Sequence, residues 1–290
     1  MDFTLKPLSP SLAAEITGLD LAQPLGANVI GTVRQAWLDA GGLLVVRGQR
    51  MNTEQHIRFS RQLGPLFGAP GQPPLQDTVS RYLHPEHPEI YRVSNKVEGG
   101  VPMGRARAGT YWHSDVSFRD RPAAASILNA IEIPAIGGDT LFADMAQAYG
   151  ALSETMKAML APLSAVHDFG VAAATQYAKT IVVEKDLEVG NRSVHPVVRT
   201  HAETGRKSLY VNPGFTSHLE GFAADESRAI LDYLYAHATR PEFVYRHRWQ
   251  RGDVMIWDNR SLMHHAIVDY DGVGERYMHR VTVIADQPSA

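Results

Sequence analysis

Six short β-prone stretches crowd the C-terminal third of this 290-residue chain, at 194–200, 208–212, 243–248, 254–257, 264–268 and 276–285. Strands this short cannot stand alone in water; they must pair and bury a face. A helical pattern interrupts them after Asp225, where Ile230, Leu231, Leu234, Tyr235 and Ala238 recur at helical spacing. Strands with helices inserted among them predict a β-sandwich or open barrel flanked by helices.

The N-terminal half is punctuated differently. Val29, Val33, Ala36 and Trp37 share one side of a helix over 28–40, which Gly41-Gly42 ends. Residues 43–46, LLVV, read as a buried strand. Asn52 and Gln55 stand in capping-box positions for a helix running to about residue 63. The 64–109 region is rich in Gly and Pro and holds one expected strand, 90–94. Such a long irregular segment inside a compact domain is a candidate active-site lid or a surface loop. His84, His87 and Tyr82 stand in it. Residues 123–133 form a further strand, GGDT a tight turn ending at Thr140, and Leu152, Met156, Met159, Leu160 and Leu163 a helical core stripe capped by Ser153. The whole, 1–290, reads as a single domain.

Composition removes several functions. With no cysteine, disulfides, thiolate zinc sites and iron–sulfur clusters are excluded, so any metal must use His, Asp or Glu. A formal charge of −3 offers no basic surface for nucleic acid or anionic lipid. No apolar run approaches the ~18 residues of a membrane span, and the N-terminus lacks a secretory pattern. A cytoplasmic location is the expectation.

Chemistry concentrates in two places. In YWHSDVSF, residues 111–118, a strand would put His113 and Asp115 on one face, with Ser114 pointing away. That pair is either a hydrogen-bonded couple or half of a metal site. In the second place, 257–286, His264 and His265 offer a third ligand, only one of which can face inward. Two His plus one carboxylate is the arrangement of non-haem Fe(II) oxygenases, although the ligand types also admit Zn or Mn. Arg276 and Arg280, four residues apart on the following strand, share a face at a spacing of about 13 Å. Either they lie in water on an edge strand, or they are inward-facing and need anions; Met278 between them speaks for the inward face. His195, His201, His218, His237 and His247 have no metal spacing and read as surface or hydrogen-bonded groups.

In combination WHSDVSF, GGDT, WDNRSLMHHA and ERYMHR resemble the taurine dioxygenase (TauD/TfdA) family of Fe(II)- and 2-oxoglutarate-dependent dioxygenases, from about Ile16 to Ala285. The resemblance implies an α+β fold with a double-stranded β-helix (jelly-roll) core flanked by helices. It implies His113, Asp115 and His264 as ligands of Fe(II), and Arg276 and Thr140 as contacts of the 2-oxoglutarate co-substrate. Arg280 matches an arginine that meets a substrate anion, and Phe215 an aromatic pocket residue. The implied reaction consumes O2, decarboxylates 2-oxoglutarate to succinate and CO2, and hydroxylates a C–H of a small anionic substrate: an alkylsulfonate, alkyl sulfate or aryloxyalkanoate. The family habit is a dimer or tetramer.

Taurine-specific members carry amine contacts that this sequence lacks. Ala69 and Gln72 stand near the expected His and Tyr, Gly109 replaces an Asn, and Ala173 replaces a second pocket Phe. A roomier pocket than taurine needs is expected. Taurine dioxygenase proper, a metal-dependent hydrolase and a non-catalytic anion binder on the same scaffold are the alternatives.

Overall fold

A computed structural model describes residues 3–75, 82–175, 192–286 and 288. Its centre is two facing sheets. The larger runs, in order across the sheet, Thr4–Pro7, Ala14–Thr17, Leu43–Val46, Val254–Asp258, Ala123–Glu132, Tyr277–Ile284 and Tyr91–Ser94. All its pairings are antiparallel except Ala14–Thr17 against Leu43–Val46. The smaller sheet is antiparallel, with Thr140–Asp144 between Val244–His247 and Leu262–Ala266.

Alternation along the strands sorts the apolar residues into layers. Leu43, Val45, Met255 and Trp257 point into the space between the sheets, against Phe142 and Leu262. Their neighbours Leu44, Val46, Val254 and Ile256 point the other way, against Val33 and Trp37 of the helix Ala27–Asp39 and Ile57 and Phe59 of the helix Thr53–Arg61. A sheet covered on both faces needs such continuously apolar strands, which explains LLVV. The smaller sheet turns Ala143 and Met263 outward onto Leu160 of the helix Glu154–Leu160 and Leu231 and Leu234 of the helix Ala224–Ala238. This is the expected α+β jelly roll, with helices outside both sheets. No helix among the described residues is long and apolar enough to cross a membrane.

Local signals hold where they are strong. Asn52 accepts from Gln55 N–H at 2.8 Å while Gln55 accepts from Asn52 N–H at 2.8 Å, a complete capping box. Gly41 and Gly42 both take positive φ behind the first helix, a turn that favours glycine.

Three expectations need correction. The 111–118 segment is not a strand: His113 makes an isolated bridge, and the chain then turns at Asp115, with Val116 at φ 56°. Thr140 does not end a turn but begins the central strand of the smaller sheet. In the Met-containing stripe, Leu152 and Leu160 are buried, but Met159 is exposed.

The 64–109 region is tied to the larger sheet at several points. Phe67 N–H donates to Thr282 O at 3.0 Å, and Tyr91–Ser94 forms the sheet's edge. His84 packs near His87 and on His279, with ring centroids 5.1 and 5.8 Å apart. His279 lies on the face opposite Arg280, so His84 stands away from the space between the sheets.

Candidate metal centre

His113 and His264 exchange both backbone hydrogen bonds: His113 N–H donates to His264 O at 3.1 Å, and His264 N–H to His113 O at 2.8 Å. Directly opposed residues in an antiparallel pair project to the same side. The backbone therefore brings the two imidazoles together, with centroids 4.1 Å apart. His265, the next residue, must point away, and its ring meets Trp112 edge-on at 5.6 Å. Asp115 reaches the same point through the turn. One carboxylate oxygen lies 3.6 Å from His113 Nε2 and the other 3.9 Å from His264 Nε2. The three side chains are buried, and their donor atoms lie within 4.8 Å of one another.

The protonation states suit a cation. His113 Nδ1 lies 2.9 Å from Tyr111 O. A carbonyl only accepts, so Nδ1 carries a proton, and Nε2, on the Asp115 side, is the atom left to meet a metal. Burial holds the His264 pKa well below the usual range, with the neighbouring His113 acting in the same direction. Burial alone would raise the Asp115 pKa, but the Arg280 guanidinium, aided by His264 and His113, outweighs it and holds the carboxyl far below the usual carboxylate range. Two imidazoles and one carboxylate fit a divalent transition metal, with one ring already locked by a bond to its other nitrogen.

Beside this triad lies a cleft open to solvent, with about 430 Å³ of free space counted together with its mouth. His113, His264, Thr140, Trp249, Arg276 and Arg280 supply its polar lining, and Val93, Ala108, Leu128 and Phe142 much of the rest. Thr140 Oγ1 accepts a hydrogen bond from Trp249 Nε1 at 2.9 Å, which leaves its hydroxyl proton to donate. Arg276 is 4% exposed, its Nε has no hydrogen-bond partner, and among the described residues no carboxylate pairs with it. Burial lowers its pKa, opposed by Tyr270. The Trp249 ring lies over it, 5.9 Å from the guanidinium carbon. A buried cation without an anion is costly, so this group is poised for an anionic ligand.

Arg280 has a partner instead. It donates to Asp115 at 2.5 Å and sits over the Tyr91 ring at 5.0 Å. Both arginines are thus inward-facing, and an edge strand in water is excluded. Phe215 lies edge-on to His113 at 5.9 Å and to Tyr111 at 6.2 Å, within an aromatic cluster that includes Phe118 and Phe169.

Ala69, Gln72 and the other histidines named from the sequence are not among the residues lining the cleft. Ala69 packs on the helix side of the larger sheet, and Gln72 is exposed. Ala173 lies in the helix Phe169–Thr175, with its side chain outside the described residues. His195, His201, His218, His237 and His247 all have hydrogen-bond partners. Nothing local in the sequence marks Trp249 or Ser126, which bond to Thr140 and Asp115; only the fold brings them there.

Residues 4–282 match the family model described as taurine catabolism dioxygenase TauD, TfdA family. The chain is 36% identical over 297 residues to the alpha-ketoglutarate-dependent 2,4-dichlorophenoxyacetate dioxygenase of Cupriavidus pinatubonensis, and the match covers 99% of each. It is 34% identical to an alkylsulfatase of Acinetobacter baylyi, over 97% of this chain and 85% of that one. Among solved structures, AAD-2 in complex with Mn(II) and N-oxalylglycine superposes with a TM-score of 0.82 at 30% identity, covering 100% of this chain and 99% of that one.

Proposed function

The chain belongs to the TauD/TfdA family of 2-oxoglutarate-dependent dioxygenases, and from that membership we propose which of its residues carry the reaction. The enzyme uses Fe(II), 2-oxoglutarate and O2. In our reading His113, Asp115 and His264 hold the Fe(II). Bound there, the iron supplies the redox chemistry that couples decarboxylation of 2-oxoglutarate to oxidation of a substrate C–H.

The remaining work is binding, orientation and exclusion of water. Arg276 meets the distal carboxylate of 2-oxoglutarate, because a planar guanidinium can make two parallel charge-assisted bonds to it. Thr140 adds a neutral hydrogen bond through its hydroxyl proton, with one of its lone pairs taken by Trp249. The unpaired, buried guanidinium of Arg276 is the single observation that carries this reading over a hydrolase. Activating water at the same triad would leave that cation without a ligand.

The substrate is read as a small anion with an apolar body. Arg280 is the second cation of the cleft; one of its terminal nitrogens holds Asp115, and its Nε, which has no hydrogen-bond partner, is left to meet the anionic group. Val93, Leu128 and Phe142 line the cleft, with Phe215 near His113. Asp115, already paired with Arg280, is the acid at this centre, so an ammonium such as that of taurine finds no free counter-charge among the described residues. An aryloxyalkanoate or alkyl sulfate therefore suits the cleft better than taurine. The single domain, 1–290, keeps 64–109 as its lid, a reading supported by Val93, Ala108 and Gly109 in the cleft wall.

Anaerobic addition of Fe(II) and 2-oxoglutarate tests the assignment. A weak visible absorption band is expected in the wild type and is lost in His113→Ala. In Arg276→Gln the band needs much more 2-oxoglutarate. Wild-type protein without the band, or a band indifferent to His113, contradicts the reading. Succinate release across aryloxyacetates, alkyl sulfates and taurine then ranks the substrates, and taurine ranking first contradicts the cleft argument.

A further inference from the structure

Asp115 lies outside any strand, so no ladder fixes it. What fixes it is a closed ring of hydrogen bonds. Asp115 N–H donates to Asn259 Oδ1 at 3.0 Å, Asn259 Nδ2 donates to Ser126 Oγ at 3.0 Å, and Ser126 Oγ donates to an Asp115 carboxylate oxygen at 2.7 Å.

The direction of every bond in this ring is determined by chemistry. Asn259 Oδ1 also receives the Trp257 indole N–H at 3.0 Å. An indole nitrogen and a backbone nitrogen only donate, so this atom of Asn259 must be the oxygen, and the other must be the NH2. Ser126 Oγ therefore accepts from Asn259, and its one proton goes to Asp115. Ser126 and Asn259 are fully buried, so no water competes. Ser126 sits mid-strand in the larger sheet, paired with Trp257 and Thr282, which makes the anchor rigid.

We propose that Ser126 and Asn259 are positioning residues for the metal: the ring sets the plane of the Asp115 carboxylate and so the affinity of the His113–Asp115–His264 site. This rests on the metal assignment above and adds to it. Ser126 touches the carboxylate oxygen that lies 3.9 Å from His264 Nε2, so it constrains the atom closest to the second imidazole. Without the ring, the carboxylate would be held only by Arg280, on its other oxygen, and would be free to rotate towards that cation.

The test separates positioning from ordinary support of the fold. Mn(II) is titrated into metal-free wild type, His113→Ala, Ser126→Ala, Ser126→Thr and Asn259→Ala, with free Mn(II) read by electron paramagnetic resonance. Thermal midpoints of the same apo proteins are recorded. Losing a partner that orients a metal ligand costs roughly 10- to 100-fold in affinity. Ser126→Ala is expected to lose about that much affinity, while its midpoint falls no further than that of Ser126→Thr, since one leaves Asn259 Nδ2 unpaired and the other crowds the core. Ser126→Thr keeps the hydroxyl but crowds the core, so it should keep its affinity while its midpoint falls. Combining Ser126→Ala with Asn259→Ala should weaken binding no more than Asn259→Ala alone, because both break one ring. Wild-type affinity in Ser126→Ala overturns the inference, as does affinity that tracks the midpoint through all the variants. Failure of the wild type to bind Mn(II), or undiminished binding in His113→Ala, overturns the metal assignment and this inference with it.

Discussion

Gly109 offers the sharpest test of how tightly the centre is built. It sits at φ 69°, and a Cβ added there would lie 2.8 Å from His113 Cε1 and 3.4 Å from His113 Nε2. The ring cannot yield easily. Its Nδ1 is tied to Tyr111 O, and the rings of His264 and Tyr111 stand 4.1 and 4.8 Å away. The loop is held too, because Ala266 N–H donates to Gly109 O at 2.8 Å. Gly109→Ala therefore combines a left-handed backbone cost of about 1–2 kcal/mol with an overpacking cost of about 1–3 kcal/mol. At roughly 2–4 °C per kcal/mol for a large domain, the apo midpoint should fall by roughly 4–20 °C. Mn(II) affinity should fall as well, because Nε2 is the atom turned towards Asp115. Gly100 is the control: its φ is 82°, but its Cβ would meet nothing within 4 Å, so Gly100→Ala carries the backbone cost alone. The reasoning is refuted if Gly109→Ala matches Gly100→Ala in midpoint and matches wild type in Mn(II) affinity.

Arg276→Met removes a buried, unpaired cation, so the apo protein should be stabilised by about 1–3 kcal/mol. Stabilisation by 2-oxoglutarate should disappear, which thermal shifts with and without the co-substrate would check; a destabilised apo variant would show that the cation has a partner. Arg280→Ala should raise the substrate KM and leave the 2-oxoglutarate KM nearly unchanged, in steady-state kinetics. Because Arg280 also pairs with Asp115, the apo protein should lose about 3–5 kcal/mol, and bound Mn(II) should restore more stability than in wild type. Burial lowers His56 to about 4, and His167 and His279 to about 3. The unfolded chain binds those protons near pH 6.5 and the native protein does not. Their contribution to stability is thus whole above pH 6.5 and is lost progressively as pH falls from there to the folded values. Midpoints recorded between pH 7 and 5, where exposed carboxylates remain largely ionised, should decline; a flat profile would contradict the burial of these rings.

What could be read from the chain alone follows from how local each cause is. The capping box at Asn52 and Gln55, the Gly41-Gly42 stop and the two-faced burial of LLVV depend on neighbours in sequence, and they hold. The inward face of Arg276 and Arg280 could be read because Met278 lies between them and is fully buried. The 111–118 segment was misleading for the opposite reason. Its aromatic composition favours a strand, but the turn at Asp115 is held by Asn259 and Ser126, the former 144 residues away. His113 and Asp115 do converge, yet by a turn rather than by strand alternation. Thr140 misled similarly: glycines before it announce a turn, whereas its strand is specified by pairing with Leu262–Ala266 and Val244–His247. Trp249 and Ser126 carry no local signal at all.

The central claim is that His113, Asp115 and His264 together hold one metal ion. Anomalous diffraction from crystals grown with Mn(II) addresses it directly. A single strong peak is expected at roughly 2.0–2.3 Å from His113 Nε2, His264 Nε2 and an Asp115 oxygen. A peak held by other side chains, or none at this triad, would contradict the account.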